Sequence, residues 1–233
     1  MKHLNSHQLC VVALRTTGKD FVIHEMRELC VIPVSPNLTP EKEYLPFNVV
    51  FRPRNKENCT PRVCSKEDYL FAQKNGLDSD ILMTGFEEWY DRLRLLPKKR
   101  IIPITYNWHN QYPFLMNWFG WSDNKYPDLH DFVHPSIYRD ILPIAQYWAD
   151  LAYFNQEHVP FPKMGLHSLA FRLGVKRPMT NSLLSYCLYL LDVYKQLTGL
   201  RLPTGVDLPL RYPIEIDYFP EKEDGDDDDN GEL

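Results

Sequence analysis

No stretch of this 233-residue chain is apolar for long enough to span a bilayer. The opening residues, Met1 to Gln8, are polar and have no apolar core of the kind a secretory signal needs. The two absences predict a cytoplasmic protein with no membrane partner, in the host cytoplasm if the chain is viral. No internal repeat is visible, which excludes repeat architectures. Cysteines are few and odd in number, five in all. Cys10, Cys30 and Cys187 lie in apolar runs and read as buried thiols. Cys59 and Cys64 are the only close pair, and no two further ligands stand near them, so a zinc site is not expected and ordinary thiols are. The fold also lacks a strong charge of either sign. Net charge is −5, but Glu221 to Leu233 holds eight acids against Lys222, which leaves residues 1–220 at about +2. The low isoelectric point therefore says little about the partner of the folded part.

What the chain has is apolar and aromatic residues, 44% and 13% of the total, enough for a sizeable core. Gln8–Arg15, Glu25–Pro33 and Phe47–Arg52 read as three strands joined by short turns, an antiparallel meander. Lys66–Asn75 and Gly85–Leu95 read as helices, the second with Phe86, Trp89, Tyr90 and Leu93 on one face. A strand over Ile101–Tyr106 follows the basic turn Lys98-Lys99-Arg100, and a helix over Gln111–Phe119 comes next. Ser136–Tyr153 is helical with a break at Pro143. Gly165–Leu173 and Thr180–Leu197 complete the set. The last helix carries a buried stripe of Leu183, Leu184, Cys187, Leu190, Leu191 and Tyr194, with Asn181 or Thr180 as its cap. This order predicts an α/β fold, a mixed sheet flanked by helices. Residues 1–200 form that domain and 201–220 a C-terminal extension packed on the domain or on a partner. Residues 221–233 are an acidic tail too polar to fold. The tail serves as a nucleic-acid mimic, as a dock for a basic partner, or only as a solubilising segment.

Several segments, taken in order, resemble the DEDD-superfamily 3′–5′ exonucleases, an RNase H-like family. Ala13-Leu14-Arg15-Thr16-Thr17-Gly18 is similar to a family strand end that reads Asp, any residue, Glu, then Thr-Thr-Gly. His24-Glu25-Met26-Arg27-Glu28-Leu29 and Phe47 to Pro53 resemble its next two strands. The run Ile104 to Leu115 is similar to the second acidic motif, with Asn107 and Phe114-Leu115 matching and Gln111 in place of the Asp. Leu166 to Gly174 resembles a late Leu-rich helix, after which Asn181 falls at the family's His and Tyr186 at its last Asp. The resemblance covers roughly residues 8 to 198. It implies an RNase H-like mixed sheet, an antiparallel three-stranded meander plus parallel strands, flanked by α-helices.

It also implies a dismantled catalytic centre. The family reaction uses two divalent metals ~4 Å apart, and hard metals need anionic oxygen ligands. Ala13 offers no ligand and Arg15 brings a permanent cation. Gln111 keeps only a neutral oxygen, Tyr186 is un-ionised near neutral pH, and the amide of Asn181 cannot act as a general base. No catalytic residue, no metal and no cofactor is expected. Mg²⁺ or Mn²⁺ would enter only if Asp20, Glu25, Glu28, Asp140 or Asp192 had taken over as relocated ligands; for Asp140 the plainer expectation is a helix cap or an ion pair.

The reading is a pseudo-exonuclease that holds single-stranded DNA or RNA, or scaffolds a replication, repair or RNA-processing complex. Arg15, Thr16, Thr17, Asn107, Trp108, Lys98, Lys99 and Arg100 are the candidate nucleic-acid contacts. Arg15 either meets a phosphate or pairs with a carboxylate such as Glu28. Trp108, Tyr112, Trp118 and Trp121 either stack bases or belong to the core. Two other readings stand beside it. One is an active metal-dependent exonuclease with relocated acids. The other is a protein-interaction module, possible for a viral or phage accessory protein, with aromatics of Tyr106 to Tyr153 or an added strand from Leu202 to Pro220 meeting a protein partner.

Overall fold

The first strand, β1 (Gln8–Thr16), is apolar on both sides. Leu9, Val11 and Ala13 face one core cluster while Cys10 and Val12 face another. Side chains alternate along a strand, so a run apolar at every position must be buried on both faces and sit inside a sheet. In the computed structural model, which describes residues 6–54, 59–120 and 128–200, β1 is the central strand. It pairs antiparallel with β2 (Met26–Val34), with Ala13 opposite Cys30 and Arg15 opposite Glu28. β3 (Phe47–Val50) runs antiparallel to β2, which completes the expected meander.

Two helices follow. α1 (Lys66–Asn75) starts at a capping box in which the Ser65 hydroxyl accepts the Asp68 N–H at 3.1 Å and the Asp68 carboxylate accepts the Ser65 N–H at 3.4 Å. α2 (Ser79–Arg92) begins six residues before the expected Gly85, behind Asp78 at its N-cap. Its early residues include Leu82 and Met83, both buried, which an amphipathic pattern read from Gly85 onward cannot include.

β4 (Ile101–Thr105) then lies parallel to β1, with Val11 opposite Ile104. After it come α3 (Trp108–Gly120) and the single turn α4 (Leu129–Phe132). The two-residue β5 (Arg139–Asp140) pairs parallel with β4 and closes the sheet in the order β3-β2-β1-β4-β5. It is too short to show any alternation, so periodicity cannot reveal it. The remaining helices are α5 (Ile141–Phe154), α6 (Leu166–Arg172) and α7 (Leu183–Thr198). α5 is not broken at Pro143, because that proline lies in the first turn, where its missing N–H has no helical partner to lose.

The sheet is covered on both faces. α2, α3 and α4 pack on the side of Cys10 and Val12, and α5, α6 and α7 on the side of Val11 and Ala13. α7 presents Leu183, Cys187, Leu190, Leu191 and Tyr194 to the sheet, all buried, and Leu184 half-buried. Each fully buried leucine of that stripe contributes roughly 2 kcal/mol. Neither Asn181 nor Thr180 is the N-cap of α7. Ser182 holds that position, and Thr180 lends its hydroxyl to the Ser182 N–H at 3.4 Å. Among the described residues no helix is long and apolar enough to cross a membrane. The extension 201–220 and the acidic tail 221–233 lie outside the described residues.

One carboxylate joins the ends of β4 and β5 to two helices. Asp140 accepts the Asn107 N–H at 2.8 Å and the Trp108 N–H at 2.7 Å, so it seats the start of α3. It also accepts the Leu142 N–H at 3.1 Å as the N-cap of α5. Replacing it by alanine leaves three main-chain donors without an acceptor. Asp140→Ala is expected to cost about 2–4 kcal/mol and to lower the melting temperature by about 5–15 °C. Asp140→Asn, which keeps one acceptor oxygen, costs less. Thermal unfolding followed by circular dichroism checks this, and a shift under about 2 °C for the alanine variant contradicts the double cap.

Candidate functional site

The positions singled out in β1 point to the α7 side of the sheet, at its carboxyl end. Ala13 is fully buried there and only its main chain takes part in polar contacts, with the Cys187 thiol beside it. Two residues on, Arg15 shares that face. Its cross-strand partner Glu28 lies opposite, and one guanidinium nitrogen meets both Glu28 oxygens, at 3.3 and 3.5 Å. Arg27, itself buried, reaches the same carboxylate at 3.3 Å and Asp68 at 3.0 Å. Glu28 is thus held by two cations. Arg15 keeps 30% of its side chain exposed.

Tyr186 completes the cluster from α7. Burial pushes its phenol up to about 12, and Cys187 and Tyr106 act in the same direction, while Arg15 pulls it down. Tyr106, at the end of β4, donates its hydroxyl to the Met164 carbonyl at 2.7 Å. Gln111 reaches back from the first turns of α3 and donates its amide to the Tyr106 carbonyl at 2.7 Å, leaving its own amide oxygen buried without a partner. Ala13, Arg15, Gln111 and Tyr186 are therefore gathered around Tyr106 and Glu28. Asn181 is exposed, ahead of the α7 N-cap.

The turn after β1 is tied down from several sides. Thr17 is fully buried; its hydroxyl accepts the Glu25 N–H at 3.0 Å, and its carbonyl accepts the Thr60 N–H at 2.8 Å. The expectation that Thr17 contacts nucleic acid through its side chain is corrected on that ground, since the hydroxyl is inside and engaged. Thr16 donates its hydroxyl to the Gly18 carbonyl. The His24 imidazole lies directly over Gly18, where a β-carbon would come within 2.1 Å of the ring. His24 is in turn hydrogen-bonded to the Thr60 hydroxyl at 3.0 Å. Asn107 takes a left-handed backbone, φ 61°, between β4 and α3, a conformation that asparagine accepts more readily than most residues.

The acids elsewhere have other occupations. Asp20 accepts the Val22 N–H within its turn, Glu25 accepts the Arg54 N–H, and Asp192 pairs with Arg177 at 2.6 Å. Asp140 is the helix cap described above. Among the described residues, no group of three or more His, Cys, Asp or Glu side chains is placed to hold a metal ion. The residues gathered at the sheet end, one methyl group, one cation, one amide and one phenol around a doubly paired carboxylate, do not make a divalent-metal site. Cys59 and Cys64 are free thiols that neighbour each other, and burial with that neighbour pushes Cys59 up to about 11.

Of the two readings given to the aromatics, the structure shows the core one for Trp108 and Trp118. Trp108 and Trp118 are buried in the core, where Trp118 packs edge-on against Phe51 and Phe86. Neither ring is open for a base to stack on. Tyr112 is half-buried and bonds His130 at 2.7 Å, and Trp121 lies outside the described residues. Lys98, Lys99 and Arg100 precede β4, whose first residue stands beside Gln8 at the start of β1. Arg15 is seven residues further along that strand, roughly 23 Å away at ~3.3 Å per residue. The basic turn and Arg15 are at opposite ends of the sheet. The sequence reading overlooked a nearer pair. Arg52 and Arg54 flank Pro53 just beyond β3 and line a cleft with His24, Phe114 and Asn117 on the other side of the same sheet end. The basic-Pro-basic run was the available signal.

No family model matches the chain, and no curated protein sequence matches it. Solved structures do. E. coli exonuclease I in complex with a dT13 oligonucleotide matches with a TM-score of 0.63 at 14% identity, over 83% of this chain and 41% of that one. A product-bound exonuclease I matches at 0.58 and 14%, over 83% and 42%. A moderately thermophilic exonuclease I from Methylocaldum szegediense matches at 0.58 and 15%, over 85% and 41%. The chain shares the RNase H-like fold of exonuclease I and spans about two-fifths of the length of those proteins.

Tyr186 carries a pH signature of the cluster. Its folded pKa lies above the ordinary value near 10, so the folded state holds the proton more tightly than the unfolded chain. The stability this contributes is present below about pH 10 and is lost as pH rises toward about 12. Urea midpoints between pH 9 and 11.5 should fall, and Tyr186→Phe should fall less steeply. Equal slopes for the two proteins would show that the phenol is not held in this environment.

Proposed function

We propose that this chain is a non-catalytic relative in fold of the 3′–5′ exonucleases, and that it holds single-stranded nucleic acid at the carboxyl end of β1. The observation that carries the reading is Arg15. Where the sequence resemblance expects a metal-binding carboxylate, a guanidinium is braced by Glu28 at 3.3 Å, and 30% of the Arg15 side chain is exposed. A fixed cation there meets a phosphate as the metals of an active exonuclease would, but it cannot activate water. Arg52, paired with Asp78 at 3.3 Å, and Arg54 line the adjacent cleft together with Glu25. The dT13-bound exonuclease I supports single-stranded DNA as the class of ligand.

The relocated-site alternative would draw on Asp20, Glu25, Glu28, Asp140 and Asp192, each of which bonds main chain or an arginine. The protein-interaction reading keeps one favourable observation. Among the described aromatics of Tyr106–Tyr153, Trp108, Phe114, Trp118, Phe119 and Phe132 are buried, but Tyr138, Tyr147 and Tyr153 are exposed, as is the adjoining Phe154 at 80%. Such side chains suit a protein contact. The strand-adding extension offered for the same role lies outside the described residues.

The test combines degradation with binding. Labelled single-stranded DNA and RNA should stay intact with Mg²⁺ and with Mn²⁺ at rising protein concentration. Fluorescence anisotropy should show binding that weakens with salt, and Arg15→Gln should weaken it by about 1 kcal/mol and lower the salt slope by about one. Shortening of the 3′ end that Glu25→Gln or Asp140→Asn removes would replace this reading with the relocated enzyme. Absence of binding at low salt would leave the protein-interaction reading.

A further inference from the structure

A second cluster of nitrogen donors stands at the amino ends of β1 and β4. His7 precedes β1, Arg100 precedes β4, and His134 follows α4. The His134 main-chain N–H donates to the Ile101 carbonyl at 2.8 Å, which fixes it beside the start of β4. The His7 and His134 rings meet edge to face, 5.1 Å between centroids.

The hydrogen bonds set which ring nitrogens are free. His7 Nδ1 lies 2.9 Å from the Arg100 N–H and 3.3 Å from the Arg100 carbonyl; the shorter contact makes it an acceptor. His134 Nδ1 accepts the Ser136 N–H at 3.2 Å and the Ile137 N–H at 3.1 Å. In both neutral rings the proton then sits on Nε2, turned away from the main chain that holds Nδ1. Arg100 adds the third donor. Its Nε is buried and has no partner, and among the described residues its guanidinium joins no salt bridge. A buried guanidinium N–H without an acceptor is costly, which singles out this side chain as one awaiting an anion or water.

We infer that Arg100, His7 and His134 form a phosphate-binding site, suited to the three free oxygens and double charge of a phosphate monoester. Its chemistry is that of a charge-assisted clamp, a guanidinium and two imidazole N–H donors on one oxyanion. The ligand is a free phosphate or the phosphorylated end of an oligonucleotide. The site is independent of the reading given to Arg15, at the opposite end of the sheet.

Charge around the cluster sets its pH behaviour. Burial, His7 and Arg100 together hold His134 below the usual imidazole range. Lys98 and Lys99 stand in the same turn. Asp91 and Asp131 are the acids on the other side, acting with Arg100 on the Tyr90 hydroxyl, which itself donates to the Lys99 carbonyl. Because Nδ1 of each ring is taken by main-chain N–H groups, both rings donate to the anion through Nε2 as neutral imidazoles, and binding needs no further proton.

The test uses the full chain and inorganic phosphate at constant ionic strength, read by the imidazole carbon-bound proton resonances of His7 and His134. Sulfate, which does not titrate near neutral pH, serves for the pH series. The expected result is saturable shifts at both rings, sulfate affinity nearly the same at pH 6 and pH 7.5, and a loss of about tenfold or more in affinity for Arg100→Gln. Arg15→Gln should leave these shifts unchanged, which separates the site from the one proposed above. Should Arg100→Gln fail to fold, His7→Gln and His134→Gln give the same reading through the remaining ring. Competition by a 5′-phosphorylated oligonucleotide but not its 5′-hydroxyl twin would identify a polynucleotide end as the ligand; equal competition by inorganic phosphate would identify a free phosphate. Shifts reproduced by chloride, or affinity unchanged in Arg100→Gln, would overturn the proposal.

Discussion

The arrangement on the carboxyl side of the sheet depends on the placement of one buried carboxylate. Among the described residues Asp140 is the only acid in the buried set. An isolated carboxylate in that position would be strongly unfavourable, and three main-chain N–H groups offset the cost. The consequence is geometric. The chain leaves β4, turns left-handed at Asn107, and enters α3 with its first amides already oriented. From there Gln111 reaches the Tyr106 carbonyl, and Tyr106 reaches Met164 ahead of α6. Three main-chain amides thus share the two oxygens of one carboxylate, and the same bonds order both helix starts.

The electrostatics of the Arg15 cluster follow a different rule from a metal centre. A divalent ion needs several anionic oxygens converging on one point. Here Glu28 lies between two guanidinium groups, Asp68 takes the other side of Arg27, and Arg15 is the more exposed of the two cations. Because arginine does not lose its proton in the accessible pH range, such a site would hold its charge without any supply of metal and without regard to pH. Attraction of this kind positions a phosphate but offers nothing to polarise the bond to be broken. That difference between holding and cutting is the physical content of a non-catalytic role on this fold.

How much was legible in the sequence can be traced residue by residue. The meander, β4 and α7 were readable because apolar runs and a 3.6-residue stripe report burial directly. The mixed sheet and its helical cover followed from their order. The start of α2 and the two-residue β5 were not, since their limits are set by a cap and by pairing to β4 rather than by periodicity. At the site, the pairing of Arg15 with Glu28 was one of two outcomes left open, and strand register decided it. Composition could not separate Trp108 and Trp118 as core from the same rings as stacking platforms, because an indole has one hydrophobicity in either place. The Lys98–Arg100 run looked continuous with the site in sequence and lies at the far end of the sheet in space. His7 and His134, more than a hundred residues apart, carried no sequence signal at all; only the parallel pairing of β1 and β4 brings them together.

The imidazole lying over Gly18 has a historical consequence. Any side chain at that position would collide with His24, and His24 is anchored to Thr60 on a separate loop. A lineage of this protein could therefore change residue 18 only after residue 24 had shrunk or swung away, whereas changes at 24 would be open at any time. The order of substitutions would be constrained even where the end states are equally stable. Glycine at this turn is thus kept by its neighbour's presence rather than by its own backbone, and would become replaceable in a background where the histidine had already gone.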